Sequence, residues 1–422
     1  MLKQLAGTTV TKISTTILGF LTVILATQFL GASEYGNISI FLLSLSLLQL
    51  VSGVAGGPAL VYLVPRLPLV TLLSGALTWT LPIHMIAWAV LSQFNLFPRE
   101  LLYHLLILSI IFFFNSFAFT TLLGQQRIKL FNLILLLQAL MLLLSLALQI
   151  YDGEEKTIMI YIRSLYISSG ISTLTGWMLL LGKMKTPKGV SFPTAFKQMI
   201  RYGGFLQIAN AVQLFNYRLS YFLIDHFMGR GSLGVYTAGV QLSEGVWIFG
   251  KSFAVVQYSS ISNSKKPGYA LTLTLRLIKL TFIITAASLI VLFLLPESFY
   301  GWIFGQGFEQ VKKVILFMGA GILMLSLSQI LSHYFSGTGQ QHHNAIGSAI
   351  GLVTTLASGL ILIPRLGLAG AGITASLAYS ANTIYQFVIF IRMNRCGLKS
   401  FLISREEVSE LKGLIHSILK KK

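Results

Sequence analysis

Arg218, Glu244 and Lys251 stand inside two apolar stretches, 203–227 and 234–259. Each stretch is long enough to cross the roughly 30 Å of a bilayer's hydrocarbon as a helix. A charge held at that depth costs about 2.5–3.5 kcal/mol even on lenient insertion scales, so such residues face an aqueous interior or one another. Glu244 and Lys251 are seven residues apart, which places them on one helix face. Glu244 has three possible roles: a partner of Lys251, a partner of Arg218, or a carboxyl that loads and releases a transported proton. The last follows because a low-dielectric site raises a carboxyl's pKa towards neutrality. Gln207, Asn210, Gln213, Tyr217 and Ser220 add a drifting polar stripe to the first stretch, with Arg218 at its edge. Amides and hydroxyls of this kind either line a wet cavity or tie helices together by hydrogen bonds.

Other chemistry is scarce. The chain has no GxSxG, no GxxxxGK[ST] and no HExxH. His342 and His343 are the one histidine pair and have no acidic neighbour to complete a metal site, so no metal and no cofactor are expected. The single cysteine, Cys396, excludes an intramolecular disulfide. The net charge of +19 comes from short basic clusters between apolar runs, the distribution of topology signals and not of a nucleic-acid-binding face.

The elements that must position these residues are membrane helices. Of the 422 residues 55% are hydrophobic and 10% charged, and the mean hydropathy is +0.77. Soluble domains carry about 25% charged residues. Twelve spans are expected: 10–30, 37–60, 69–92, 101–123, 129–150, 158–181, 203–227, 234–259, 271–295, 313–336, 344–364 and 368–391. The segment Pro296 to Lys312, with Phe299, Tyr300, Trp302 and Phe304 among glycines, suits an interfacial turn or short helix. Gly53, Gly56, Gly57 and Pro58 weaken the second span and mark a bending point. With the N-terminus inside, inner segments hold 22 Lys and Arg and outer segments seven, which predicts that both termini are cytoplasmic. The tail 392–422 is basic and amphipathic, either a helix on an anionic inner leaflet or a solvated one.

The chain also repeats itself. Phe29-Leu30-Gly31-Ala32-Ser33-Glu34-Tyr35-Gly36 aligns without a gap with Phe227-Met228-Gly229-Arg230-Gly231-Ser232-Leu233-Gly234, at an offset of 198. Leu122-Leu123-Gly124-Gln125-Gln126 aligns with Gly337-Thr338-Gly339-Gln340-Gln341 at an offset of 215. Six spans per half keep both halves in one orientation. The expected organisation is a six-helix lobe at 1–182, a cytoplasmic linker at 183–202, a second six-helix lobe at 203–391 and the tail.

These segments resemble a family. The first repeat motif, the run Leu233-Gly234-Val235-Tyr236-Thr237-Ala238 followed by Glu244, and Ile363-Pro364-Arg365-Leu366-Gly367-Leu368-Ala369-Gly370-Ala371-Gly372 are similar to those of the Wzx-type O-antigen and polysaccharide flippases. These belong to the multidrug/oligosaccharidyl-lipid/polysaccharide exporter superfamily. The resemblance implies an all-α, MATE-like protein of twelve helices in two lobes around a central cavity that opens alternately to each side. It implies an undecaprenyl-diphosphate-linked oligosaccharide as cargo, moved from the inner to the outer leaflet of a bacterial plasma membrane at the expense of an ion gradient. A polysaccharide polymerase and a chain-length regulator are the implied protein partners. Cavity cations such as Arg218 and Lys251 would then offset the lost hydration of the diphosphate. Relatives often carry Arg-x-Asp in the seventh span, where this chain reads Arg218-Leu219-Ser220; Asp225 is the nearest carboxylate and, with Glu244, the candidate for ion coupling. Flippases of the peptidoglycan precursor carry Arg-Asp in the first span and often fourteen spans; Phe20-Leu21-Thr22-Val23 and twelve spans point away from that branch. Two rival readings are a cation-coupled multidrug exporter and a membrane-embedded glycosyltransferase or polymerase. The cavity cations count against the first, the short outer loops against the second.

Overall fold

A computed structural model describes residues 2–57, 59–93, 99–153, 155–181, 190–263, 266 and 268–401. Its elements are α1 (Leu2–Gly56), α2 (Ala59–Leu63), α3 (Leu69–Leu91), α4 (Arg99–Gly124), α5 (Ile128–Tyr151), α6 (Ile158–Leu181) and α7 (Phe192–Val246). After these come α8 (Ile248–Asn263), α9 (Tyr269–Leu294), α10 (Glu297–Phe304), α11 (Val311–Gly337), α12 (His342–Leu366) and α13 (Leu368–Asn394). A short 3-10 turn, Leu398–Phe401, follows. The expected tail helix lies outside the described residues apart from its first ten. Among the described residues seven helices are long and apolar enough to cross a membrane on those grounds alone.

The joining segments expected after the first and seventh spans are not loops. α1 and α7 each run through them as one 55-residue helix with a single sharp bend. Gly31 makes the first bend (φ 79°, ψ 178°) and Gly229 the second (φ 79°, ψ 177°). Side chains are essentially excluded from that backbone region, which is why a glycine marks the same place in both halves. Counted at the bends, α1 gives two passes and α7 with α8 another two. With α3–α6, α9 and α11–α13 the total is twelve.

The bends meet on a pseudo-two-fold axis. Gly36 abuts the carbonyl of Arg230, and Gly234 abuts the carbonyl of Ala32, so each contact is the other's symmetry mate at the offset of 198. Ser39 Oγ and Thr237 Oγ1, also 198 apart, share a 2.8 Å hydrogen bond on the axis. Glycine at these crossings lets backbone approach backbone, as in small-residue helix contacts generally. The bend ends of both lobes are further joined by Gln28 of α1, whose Nε2 donates to the carbonyls of Trp302 (3.1 Å) and Ile303 (2.8 Å) at the end of α10.

The second repeat is real but its register differs from expectation. Arg127 N donates to Leu122 O and Gln340 N to Phe335 O, the same six-residue closure at the end of α4 and of α11. The left-handed residue is Gln126 (φ 59°) in one turn and Gly339 (φ 78°) in the other. Gly124 therefore corresponds to Gly337, at an offset of 213, and the Gly-Gln-Gln match at 215 is two residues out. Most of the growth from 198 to 213 falls where α10 is inserted between α9 and α11. Two further bounds differ. α7 begins at Phe192, inside the stretch assigned to the linker, and the eighth span is broken at Trp247.

Candidate functional site

The site is built where the second half of α1 faces α7. Below the bends these helices diverge around a cavity of about 160 Å³, lined by Tyr35, Ser39 and Ser46 from α1 and Arg218, Tyr221, Thr237 and Gln241 from α7. The Ser39–Thr237 bond and the glycine crossings close its bend end. A larger cavity of about 450 Å³ lies beyond it, between residues 15–21 of α1 and the α7–α8 break. Thr15, Thr16 and Gly19 line one wall; Gln241, Glu244, Gly245 and Lys251 line the other. Gln241 belongs to both cavities.

Arg218 and Glu244 meet at this junction. Arg218 Nη2 donates to Glu244 Oε1 at 2.7 Å, and Nη1 donates to the hydroxyl of Tyr221. About a quarter of each charged side chain is exposed, 27% and 24%, so the pair borders open space. The bend at Gly229 makes this possible, because it folds 230–246 back along 192–228 of the same helix. Around the pair the rings of Tyr221 and Tyr236 pack edge-on at 5.9 Å, and Tyr217 packs against Trp247 (6.1 Å) and Tyr379 (5.8 Å). Lys251 lies one turn past the break, its Nζ 4.7 Å from the centre of the Trp247 ring. Among the described residues no carboxylate is within ion-pair distance of Lys251. Of the three roles open to Glu244, the structure displays pairing with Arg218, while Lys251 shares its cavity as the seven-residue spacing requires.

The polar stripe has a different setting. Gln207 is buried, its amide seated on Gly53 of α1 and on Gly57 just after it, and Asn210 Nδ2 donates to its Oε1 at 2.9 Å. Gly203 abuts the Val54 carbonyl beside them. Gln213 is exposed and its Nε2 points to the Tyr217 hydroxyl at 3.5 Å. Gln207, Asn210, Gln213 and Tyr217 are thus absent from the walls of both cavities; the first two hold the lobes together at the end remote from the bends. Asp225 pairs with Arg230 at 3.0 Å across the Gly229 bend, about 10 Å along the helix from Arg218. Tyr35, Tyr221, Ser39 and Thr237 were not singled out as site residues. The signal for the last two was available, since hydroxyl residues recur at the repeat's own offset.

No family model matches the chain, and no curated protein does. Solved structures do. Lipid II flippase MurJ, in an inward closed conformation, superposes with a TM-score of 0.76 over 98% of this chain and 93% of its own, at 16% identity. The chain has the MurJ and MATE fold. A multidrug resistance MATE family transporter of the MOP superfamily, inward-facing, gives 0.68 over 90% and 94%, at 15% identity. The Vibrio cholerae MATE transporter VcmN, in a point-mutant form, gives 0.64 over 95% and 98%, at 11% identity. Within the MurJ and MATE fold, the two cavities described above lie between the lobes.

Proposed function

We propose that this chain is a flippase of the MOP superfamily. Its cargo is an undecaprenyl-diphosphate-linked oligosaccharide, an O-antigen or other surface-polysaccharide repeat unit. It carries this cargo from the inner to the outer leaflet of the bacterial plasma membrane by alternating access, drawing on an ion gradient. The observation that carries the proposal is Arg218, an always-charged fork of donors bordering an inter-lobe cavity. A guanidinium there suits phosphate, and Lys251 adds a second cation in the larger cavity. The partners follow from the cargo: membrane lipids, a polysaccharide polymerase and a chain-length regulator. Glu244, and Asp225 at the bend, remain the groups proposed for ion coupling. The competing reading, a multidrug exporter, draws on Glu244 and the aromatic rings beside it, which suit an organic cation.

The two readings separate in proteoliposomes. The protein is expected to move a fluorescent polyprenyl-diphosphate-linked disaccharide between leaflets, read as loss of protection from an impermeant quencher, and to leave ethidium where it is. Ethidium transport without lipid movement would reverse the choice. The proposed orientation, both termini cytoplasmic, has its own test in a Cys396→Ser background. Asp152→Cys, in an exposed turn after α5, should react with an impermeant maleimide on intact cells. Gln341→Cys, in an exposed turn before α12, should react only after permeabilisation; the opposite pattern would invert the topology.

A further inference from the structure

We infer that Glu244 is a resident stand-in for the cargo's phosphate: its carboxylate holds the place on Arg218 that the diphosphate takes, so loading the carrier exchanges one anion for another. The inference rests on the reading of this chain as a carrier of a diphosphate lipid.

Three observations carry it. Glu244 engages Arg218 through a single oxygen and a single nitrogen, although the guanidinium fork is shaped for two parallel bonds to carboxylate or phosphate. The other terminal nitrogen is held by the neutral Tyr221 hydroxyl, so the carboxylate takes only half of the fork. Second, the two partners belong to different cavities. Arg218 lines the smaller one, Glu244 the larger one beyond it, and the carboxylate meets the guanidinium at the junction marked by Gln241. An anion entering from the large cavity meets Glu244 before it meets Arg218. Third, Lys251 lines the same wall as Glu244, resting on the Trp247 ring with no carboxylate within ion-pair distance among the described residues. A displaced Glu244 has a cation to turn towards.

The physical logic is a matter of never leaving a charge bare. An arginine without an anion at this depth is strongly disfavoured, so an empty carrier that relied on cargo alone to neutralise Arg218 would be unstable between cycles. Glu244 removes that cost and sets a threshold. A neutral ligand gains nothing by breaking the pair and a cation would free Glu244 only by leaving Arg218 bare, whereas a diphosphate brings more charge and more acceptor oxygens than one carboxylate. Selectivity for the diphosphate then arises from competition inside the protein as well as from contacts to the cargo.

Farnesyl diphosphate, a soluble short polyprenyl diphosphate, and uncharged farnesol are the probes, titrated into the purified full-length protein with Trp fluorescence as readout. Glu244→Gln is expected to bind farnesyl diphosphate about ten-fold more tightly than the wild type, because the competitor is gone. Arg218→Gln and the double variant should both lose that binding, and farnesol should bind all four proteins equally. Should Glu244→Gln not accumulate, Glu244→Asp, which draws the carboxylate back from Arg218, is expected to gain affinity in the same direction. If Arg218→Gln loses the ligand while the Glu244 variants bind it no better than the wild type, the stand-in role falls and the flippase reading stands. If Arg218→Gln binds farnesyl diphosphate as well as the wild type does, both fall.

Discussion

Arg218→Ala is expected to slow flipping of a polyprenyl-diphosphate-linked saccharide by at least about a hundred-fold in proteoliposomes, with the protein still inserted. The magnitude comes from two charge-assisted hydrogen bonds at about 1.5–3 kcal/mol each, which in the loaded state would go to the cargo. The free energy lost is that of the bound headgroup in the hydrocarbon layer, so it appears as a higher barrier to crossing. Arg218→Lys should recover only a small part, because a point charge cannot reproduce the planar fork. Removal of the guanidinium also leaves Glu244 without its partner at membrane depth, a cost of several kcal/mol to the fold. Arg218→Ala with Glu244→Gln relieves that cost. It should restore the amount of protein without restoring transport, which separates a binding role from a structural one. Wild-type flipping by Arg218→Ala would remove the cavity's assigned purpose.

Legibility in the sequence followed the cost of the alternatives. Gly31 and Gly229 stood out because their backbone conformation admits almost nothing but glycine, and that constraint preserved the first repeat in register. The turn after α4 and its mate after α11 tolerate Gln126 in one and Gly339 in the other, so identical letters there gave an alignment two residues out. Arg218 and Glu244 were legible because charge at depth is expensive. Their mutual contact was one of three options, and the choice depends on how sharply the bend at Gly229 returns the helix on itself. The polar stripe shows how far periodicity reaches. Periodicity placed Gln207, Asn210 and Tyr217 together, but could not say whether a lobe interface or a cavity lay opposite. The glycines that receive Gln207 were read as a hinge and not as its seat. Trp247 breaks α7 from α8 without a proline or glycine at the position itself, and nothing in local propensity marks it.

Gly36→Ala and Gly234→Ala carry the other large expected effect, on the conformational cycle and not on binding. In the structure each glycine is pressed against a backbone carbonyl of the opposite lobe, Arg230 and Ala32 respectively, and a methyl group at either would overlap it. A carbonyl cannot rotate away as a flexible side chain can, so the helices must part. Overpacking of this kind costs about 1–3 kcal/mol, and it is felt only in the state where the bends touch. By the symmetry of the two contacts, either substitution should shift the population away from the state closed at the bend end, by about five-fold to a hundred-fold. Ser39→Cys reports this directly, because residue 39 is buried behind the crossing and bonded to Thr237. Its reaction with an impermeant maleimide from the bend side should be slow in the otherwise wild-type protein and at least about ten-fold faster with either glycine replaced. Transport should fall in step, since a carrier held open at one end cannot reload at the other. Gly170→Ala, in α6 with open space where the methyl would go, is the matched control and should change neither reading. A Ser39→Cys that stays protected in Gly36→Ala and Gly234→Ala, with flipping intact, would show that the bends are a fixed joint and that the gate lies elsewhere.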